Sequence, residues 1–168
     1  MRLAKRSKFR SGIKTHGRRM EHSCTGFTLM ELMVAVAVMA ILATIAYPAY
    51  TGAIRKAKRA EGRSALMQLM QEEERYFSQN NRYALIASDS TDKSARKFKW
   101  HSADSPGKSA YEIVASACAG DVIENCVQLN AKPGTDKVDA SYKDPECGEL
   151  GLASNGKKTA SGKGASCW

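Results

Sequence analysis

The sequence has little of what a catalytic or metal site would need. Its three histidines, His16, His22 and His101, form no recognisable catalytic spacing with any serine or cysteine. The five cysteines lack the C-x2-C spacing of structural zinc sites. The Gly-Lys-Gly segment at residues 162–164 lacks the full pattern and the strand–loop–helix setting of a phosphate-binding loop. We therefore expect no enzyme activity, no bound metal and no cofactor.

Acidic residues are almost absent from the N-terminus. The first 26 residues contain eight lysines and arginines and a single acid, Glu21. The rest of the chain is nearly balanced, so the formal net charge of +9 belongs mainly to this segment. A charge of that size could indicate nucleic acid or a membrane surface as the partner, but its position at one terminus is typical of a targeting sequence. We interpret residues 1–26 as a basic leader.

Charged residues are also absent from residues 32–47, where nothing is more polar than one threonine and a tyrosine hydroxyl. Together with residues 27–31, this run reaches the roughly 20 residues that cross a bilayer core. A cleavable secretory signal would end in small residues at its cleavage site, and residues 43–46 match that pattern poorly. We therefore predict a retained membrane helix, with the basic leader in the cytoplasm and the C-terminal region outside.

The helix is predicted to continue beyond the apolar run and to span about residues 28–78. Pro48 removes one hydrogen bond and kinks a helix but need not end it. Beyond it the pattern becomes amphipathic, with one packing face and the other faces in water or beside the membrane. The packing face comprises five positions at helical spacing: Leu66, Leu69, Met70, Glu73 and Phe77. The other faces carry charged side chains: Arg55, Lys56, Arg59, Arg63, Glu72 and Glu74.

Beyond the helix the sequence predicts a small β region. Two asparagines break the helix at residues 79–83, and the polar residues 88–99 are expected to form a loop. Weak alternation and β-branched residues predict strands at residues 111–118 and 125–129, joined by a turn. The remaining chain, residues 131–168, is rich in glycine, lysine, serine and aspartate, with a short apolar piece at Leu150 and Leu152.

Four of the cysteines lie in the last third of the chain: Cys118, Cys126, Cys147 and Cys167. Four cysteines downstream of a membrane segment suggest two disulfides formed in an oxidising compartment. Three pairings are possible, and a pair of Cys118 with Cys126 is consistent with a cross-strand bridge beside the predicted turn.

The junction between leader and apolar run carries the most informative motif, G-F-T-L-M-E at residues 26–31. With a basic leader before it and an apolar helix after it, the junction resembles the class III signal of type IV prepilins. Similarity to minor pilins of the PilE class extends over roughly residues 24–83 and 144–168. The resemblance implies cleavage by prepilin peptidase after Gly26 and methylation of the new amine of Phe27.

The resemblance also implies the organisation of the chain. It implies an α+β fold, in which a long N-terminal helix, apolar and then amphipathic, packs on a small antiparallel β-sheet with a disulfide-bonded C-terminal loop. The expected segments are the cleaved leader at residues 1–26, the membrane-anchoring and filament-core helix at 27–80, and a β-rich globular head at 81–168. By resemblance to the C-terminal loop of pilins, Cys147 is expected to pair with Cys167.

Glu31 is the one charge within the apolar segment. A charged residue costs about 2.5–3.5 kcal/mol at the middle of a membrane helix and less near its edge. By resemblance, the partner of Glu31 is the α-amine of Phe27 on a neighbouring subunit, and this pair would set the axial register of subunits in the filament. The alternative is a glutamate whose carboxylate simply reaches the membrane interface.

The leading hypothesis is therefore a minor pilin, a structural subunit that joins or primes a type IV pilus used in adhesion or twitching motility. Its expected partners are other pilin subunits, prepilin peptidase, the inner-membrane assembly platform and, before assembly, the lipid bilayer. The subunit would reside in a bacterial inner membrane and then in the pilus at the cell surface.

Two alternatives remain open. Some PilE-class pilins bind DNA during uptake, and the last loop offers lysines beside an aromatic side chain that could stack on a base: Lys157, Lys158, Lys163 and Trp168. Lys143 lies just before that loop, but a solvated loop is favoured over DNA contact. A pseudopilin of a type II secretion system would share the N-terminus, but two disulfides and the Cys-Trp ending favour the pilus.

Overall fold

The computed structural model describes residues 26–168, so the predicted leader lies outside the described residues except for Gly26. The described chain divides into two compact units, a first that ends at residue 42 and a second that comprises residues 43–168. One helix, α1 (Leu29–Asn80), begins in the first unit and ends in the second. The prediction of a single long N-terminal helix is confirmed, with bounds within two residues of those expected.

In the first unit, α1 begins at a threonine cap. The Thr28 Oγ1 atom accepts a hydrogen bond from the Glu31 amide at 3.2 Å, which satisfies one of the amides left open at a helix N-terminus. A threonine followed three residues later by a glutamate is a capping-box sequence. The helix that follows contains a window long and apolar enough to cross a membrane.

In the second unit, α1 packs on the head through the face that its periodicity predicts. The helix continues through Pro48. The five predicted positions are buried or half-buried against the core: Leu66, Leu69, Met70, Glu73 and Phe77. Asn81 follows the helix in the left-handed region at φ 53°, a conformation that asparagine adopts more readily than most residues.

The head contains one antiparallel sheet in the strand order β1-β2-β3-β4. The strands are β1 (Tyr111–Ala117), β2 (Val127–Pro133), β3 (Leu150–Ala153) and β4 (Lys158–Ala160). Short 3-10 turns at Ala95–Lys97 and Pro106–Lys108 lie between α1 and β1. The sheet consists of two hairpins side by side, and α1 covers part of its inner face through the common core.

Two of the sheet predictions need correction. Strand β2 begins at Val127 instead of residue 125, because the Cys126 amide donates to the Val122 carbonyl and belongs to the turn. Residues 131–168, in which no strand was predicted, contain the end of β2 and all of β3 and β4. The last two strands have only four and three residues, too few for alternation to be recognised, and Gly151 interrupts the apolar pattern of β3.

Two disulfides and one close helix–strand contact hold the head together. Cys118–Cys126 closes the turn between β1 and β2, and Cys147–Cys167 joins the segment before β3 to the C-terminus. Gly62 allows α1 to approach β1, since a β-carbon at Gly62 would lie 2.8 Å from the Tyr111 ring. The predicted fold class, a long helix packed on a small antiparallel sheet with a disulfide-bonded C-terminal loop, is confirmed.

Arg59 corrects the prediction for the polar faces of α1. It was expected in water or beside the membrane, yet only 2% of its surface is exposed. Its partner is Asp144, 85 residues further along the chain. Helical periodicity places a guanidinium on a polar face, and only the folding of the distant loop onto α1 removes it from water.

Candidate functional site

The residues expected to be processed and to dock lie together at the start of α1. Phe27 is 83% exposed, and Glu31 follows one turn later, with Thr28 capping the backbone between them. Between residues 26 and 168, the Glu31 carboxylate forms no ion pair. This end of the helix is therefore open to a group from another molecule, as docking between subunits requires.

A continuous apolar surface follows Glu31 in the first unit. Its large side chains, from Leu32 to Leu42, are between 50 and 68% exposed. Soluble monomers rarely expose a contiguous apolar surface of this extent. Lipid or neighbouring helices of similar character are therefore needed to cover it.

In the second unit, a buried ionic network fastens α1 to the segment before β3. The Arg59 guanidinium donates to both carboxylate oxygens of Asp144, at 2.8 and 2.7 Å, and to Glu146 at 2.9 Å. The Tyr111 hydroxyl donates to the same Asp144 carboxylate at 2.8 Å. Burial alone would raise the pKa of Asp144, but hydrogen bonds from Arg59 and Tyr111 hold it below its ordinary value. The hydrogen bond to Asp144 in turn raises the pKa of Arg59, so both partners stay charged.

Glu73 is a second buried carboxyl group, on the packing face of α1. Its Oε2 atom accepts a hydrogen bond from the Ala84 amide at 2.9 Å, whereas its Oε1 atom has no hydrogen-bond partner in the part of the chain that the structure describes. Burial raises the pKa of Glu73 to about 7, and the Ala84 hydrogen bond acts in the opposite direction. The hydrogen bond from Ala84 therefore fastens the chain that follows α1 to the helix. With a pKa of about 7, the Glu73 carboxyl group gains or loses its proton near neutral pH.

One serine and one histidine approach each other without forming a catalytic pair. Ser109 Oγ lies 3.3 Å from His101 Nδ1, but Ser109 is fully buried and its hydroxyl donates to the Ser105 carbonyl at 2.9 Å. A nucleophile needs an open path to its substrate, so this pair stabilises a turn. Among residues 26–168, no group of three or more His, Cys, Asp or Glu could hold a metal ion.

The residues that the sequence suggested for DNA contact lie beside and at the two ends of β4. Lys158 Nζ lies 5.3 Å from the centroid of the Trp168 ring, and the Trp168 indole N–H donates to the Thr159 carbonyl at 2.7 Å. Lys157 lies in the turn before β4, whereas Lys163 follows that strand. The structure thus brings Lys158 and Trp168 together but separates Lys157 from Lys163 by the length of β4.

A denser basic surface, the 93–99 segment, lies between α1 and β1, where only a polar loop was predicted. It contains four exposed basic side chains and no acidic one: Lys93, Arg96, Lys97 and Lys99. No ion pair of the described chain involves any of the four. Phe98 between them is buried in the core and Trp100 packs against it, so this surface offers mainly cations, which can neutralise the phosphates of a nucleic acid. The sequence carries this signal, but the surrounding serines and aspartates made the segment look like an ordinary loop.

A groove of about 530 Å³ lies between the 93–99 segment and the end of α1. Arg75 and Lys97 line it together with Tyr76 and Phe98, whose rings meet edge to face at 5.6 Å. Glu72 is the one acidic residue in the lining. Two cations and two aromatic side chains around one groove can contact a phosphate backbone and an apolar sugar or base surface.

Two family models match the sequence. Residues 22–47 match the prokaryotic N-terminal methylation motif. Residues 48–151 match a family described as type IV minor pilin ComP, DNA uptake sequence receptor. The second match covers more than half of the chain and includes the 93–99 segment and the groove. The C-terminal candidates for DNA contact lie beyond it: Lys157, Lys158, Lys163 and Trp168.

Solved structures of pilins are similar to the chain. The Neisseria meningitidis non-core minor pilin PilV is 22% identical, and the match covers 68% of this chain and 93% of that one with a TM-score of 0.44. A type IV pilin from Shewanella oneidensis is 24% identical, and the match covers 68% of this chain and 97% of that one with a TM-score of 0.42. No match was found among the curated proteins.

Proposed function

The chain belongs to the family described as type IV minor pilin ComP, DNA uptake sequence receptor, and from this premise we propose that its head binds double-stranded DNA on a type IV pilus. The protein is a minor pilin, a structural subunit and not an enzyme. Its apolar N-terminal helix fits a membrane anchor that becomes part of a surface filament. The C-terminal lysines alone gave DNA contact little support, and the family match together with the 93–99 segment now favours it.

The proposal includes a processing step at the start of the helix. Prepilin peptidase cleaves after Gly26 and methylates the new amine of Phe27, for which the methylation motif at residues 22–47 is the support. Glu31 then pairs with the Phe27 amine of a neighbouring subunit. The open Glu31 carboxylate next to an exposed Phe27 supports this pairing, since a carboxylate in apolar surroundings is stabilised by an opposite charge.

The proposal also gives the subunit an orientation and its assembly partners. The basic leader keeps the N-terminus in the cytoplasm, because positively charged flanks stay on that side. The head then lies outside the inner membrane, in the oxidising compartment that two disulfides suit. From there the inner-membrane assembly platform passes the subunit into the filament, where other pilins cover its apolar helix.

The 93–99 segment and the groove beside it are the proposed DNA interface. Lysine and arginine bind DNA mainly by neutralising phosphates and releasing counterions, which does not depend on sequence. Lys97 joins the two parts, because it belongs to the segment and lines the groove opposite residues of α1 such as Arg75. Recognition of a particular uptake sequence would need base contacts in addition, for which Tyr76 and the polar side chains of the groove are the available groups.

The test is a comparison of two double variants that remove the same charge. The full-length mature chain in detergent is titrated with a labelled DNA duplex at several salt concentrations, and binding is followed by fluorescence polarisation. Each phosphate contact contributes about 0.9 to the slope of log K against log salt. We expect Lys97→Gln/Lys99→Gln to reduce that slope by about 1.8, whereas Lys157→Gln/Lys158→Gln should leave it nearly unchanged.

The possible outcomes test separately where DNA binds and whether the protein binds DNA at all. Equal reductions of the salt slope in both double variants would mean that the DNA contact lies elsewhere or that binding depends only on net charge. Absence of binding by the unchanged chain at low salt would refute the DNA-receptor proposal and leave a minor pilin with an assembly role. Competition by unlabelled duplexes of different sequence then measures whether an uptake sequence is preferred.

A further inference from the structure

A second surface cavity, of about 330 Å³, lies beside α1 in the second unit, away from the proposed DNA interface in the sequence. Thr51, Ile54 and Arg55 of α1 line one part of it, and residues of the loop before β3, among them Ser141 and Lys143, line the rest. The lining thus combines two cations, one carboxylate, three hydroxyl-bearing side chains and one aliphatic side chain, and neither assembly through the helix nor DNA binding uses it.

The cavity has a net positive charge. Along the described chain, neither Arg55 nor Lys143 forms an ion pair. Asp139 is the one acidic residue of the lining, and its Oδ1 atom accepts hydrogen bonds from the Ser141 hydroxyl and amide at 2.5 and 3.0 Å. The hydrogen bond from the Ser141 hydroxyl lowers the pKa of Asp139, so that carboxylate stays ionised and offsets only one of the two cations.

The position of the cavity along α1 is that of a membrane interface. The apolar run ends at Tyr47, and Tyr47 and Tyr50 are 72 and 66% exposed, as in the aromatic belts of membrane proteins. At 1.5 Å per residue, Arg55 lies about 12 Å beyond Tyr47 along the helix. The polar headgroup layer adds roughly 5–8 Å on each side of the hydrocarbon core, and an arginine side chain can extend back over the remaining distance.

We infer that this cavity binds the headgroup of an anionic phospholipid while the subunit resides in the membrane. The Arg55 guanidinium can contact two phosphate oxygens at once, and Lys143 adds a second positive charge on the other side of the lining. Ile54, which is 42% exposed, supplies an apolar contact for the glycerol and upper acyl chain. A phospholipid matches this mixture of groups, whereas a soluble anion would use only the cations.

The bound lipid holds the loop before β3 close to the bilayer surface. Because the same lipid must leave when the subunit is transferred to the filament, the site distinguishes the membrane form of the protein from the assembled form. The inference requires only that the apolar helix lies in a membrane, so it is independent of the proposed DNA binding.

The experiment uses the full-length mature chain and two lipids of different charge. The chain is purified in detergent with added phosphatidylglycerol or phosphatidylcholine, and native mass spectrometry counts the lipids that remain bound. Arg55→Gln/Lys143→Gln removes the two cations of the cavity. Arg82→Gln/Lys157→Gln is the matched control, since it also removes one arginine and one lysine but at positions that do not line the cavity.

We expect a several-fold preference for phosphatidylglycerol in the unchanged chain and in the control variant, and loss of that preference in Arg55→Gln/Lys143→Gln. Equal loss in both double variants, or no preference in the unchanged chain, would overturn the inference. Displacement of the lipid by inorganic phosphate at moderate concentration would also overturn it, because the site would then take a free anion instead of a lipid.

Discussion

Arg59 and Asp144 are 85 residues apart in the sequence and form a two-pronged ion pair with nitrogen–oxygen distances of 2.8 and 2.7 Å. Arg59 lies on α1, and Asp144 lies three residues before Cys147, which the C-terminal disulfide joins to Cys167. The pair therefore connects α1 to the loop before β3. The Cys147 amide donates to Asp144 Oδ1 at 3.1 Å, so the ion pair and the disulfide support each other.

The first prediction concerns this pair. Asp144→Asn removes the buried partner of Arg59 and leaves it only the half-exposed Glu146, and breaking a buried ion pair on one side costs about 3–5 kcal/mol. Urea unfolding of the full-length chain in detergent, followed by near-ultraviolet circular dichroism of the head, should show a loss of this size. The control is Glu146→Gln, whose side chain is 54% exposed and which should cost under about 1 kcal/mol. Similar losses for the two variants would contradict the role of burial.

A second prediction tests the close approach of α1 to β1. Gly62→Ala puts a β-carbon 2.8 Å from the Tyr111 ring, and overpacking of this kind costs about 1–3 kcal/mol. Gly52→Ala is the matched control, because a β-carbon there meets nothing within 4 Å and alanine favours the helix by about 1 kcal/mol. Thermal unfolding should therefore move in opposite directions for the two variants. A neutral Gly62→Ala would show that moving the helix away from the sheet costs no more than the roughly 1 kcal/mol that alanine adds to helix stability.

Glu73 makes the stability of the head depend on pH. Its pKa rises from 4.5 in the unfolded chain to about 7 in the folded head, so the folded state holds the proton more tightly. The resulting stabilisation is fully present below about pH 4.5 and is lost as the pH rises through about 7. At 1.36 kcal/mol per pKa unit, the loss is on the order of 3 kcal/mol.

The measurement is urea unfolding at several pH values between 4.5 and 7.5. Glu73→Gln should flatten the pH dependence of the unfolding free energy, whereas Glu124→Gln, at an exposed position that does not contribute to the raised pKa of Glu73, should retain it. Asp144 has a lowered pKa, so its contribution is lost only as the pH falls below the acidic end of that window. If the unfolding free energy of Glu73→Gln still depends on pH in this range, another group must bind the proton.

Processing at the predicted junction is tested by Gly26→Val. A branched side chain should block the peptidase, because the residue before the cleaved bond must fit a narrow intramembrane cleft. Mass spectrometry of the membrane fraction should find the leader retained in this variant and a chain beginning at N-methylated Phe27 in the unchanged protein. Gly52→Val lies away from the junction and should be processed normally. Filaments that contain the intact leader would contradict this prediction.

Glu31→Ala tests docking between subunits. Removing the charge lowers the cost of membrane insertion but removes the expected partner of the Phe27 amine on a neighbouring subunit. We expect the variant at normal levels in the membrane and at several-fold lower levels in sheared pili, measured by immunoblot. Thr28→Val, which removes only the helix cap, should reduce incorporation far less. Unchanged incorporation of Glu31→Ala would rule out the ion pair.

The amino-acid sequence alone determined the features that depend on neighbouring residues. The apolar run, the packing stripe of α1 and the junction motif at residues 26–31 each occupy one continuous segment. Local signals of this kind also mark both ends of α1, since the apolar run opens the helix and two asparagines close it, so its bounds were predicted within two residues. Strand β1 was found for the same reason, whereas β3 and β4 were missed because strands of four and three residues have too little pattern of their own.

Only the tertiary structure decided which polar groups leave water and which basic residues lie together. Arg59 looked like a residue of a polar face until the loop with Asp144 folded onto it. The lysines near the C-terminus looked like a cluster, but Lys157 and Lys163 lie at opposite ends of β4. Arg75 and Lys97, which lie on different elements, line one groove. The reason is physical: charge acts through space, and distances between residues far apart in the chain are set by the packing of the head, which no local pattern records.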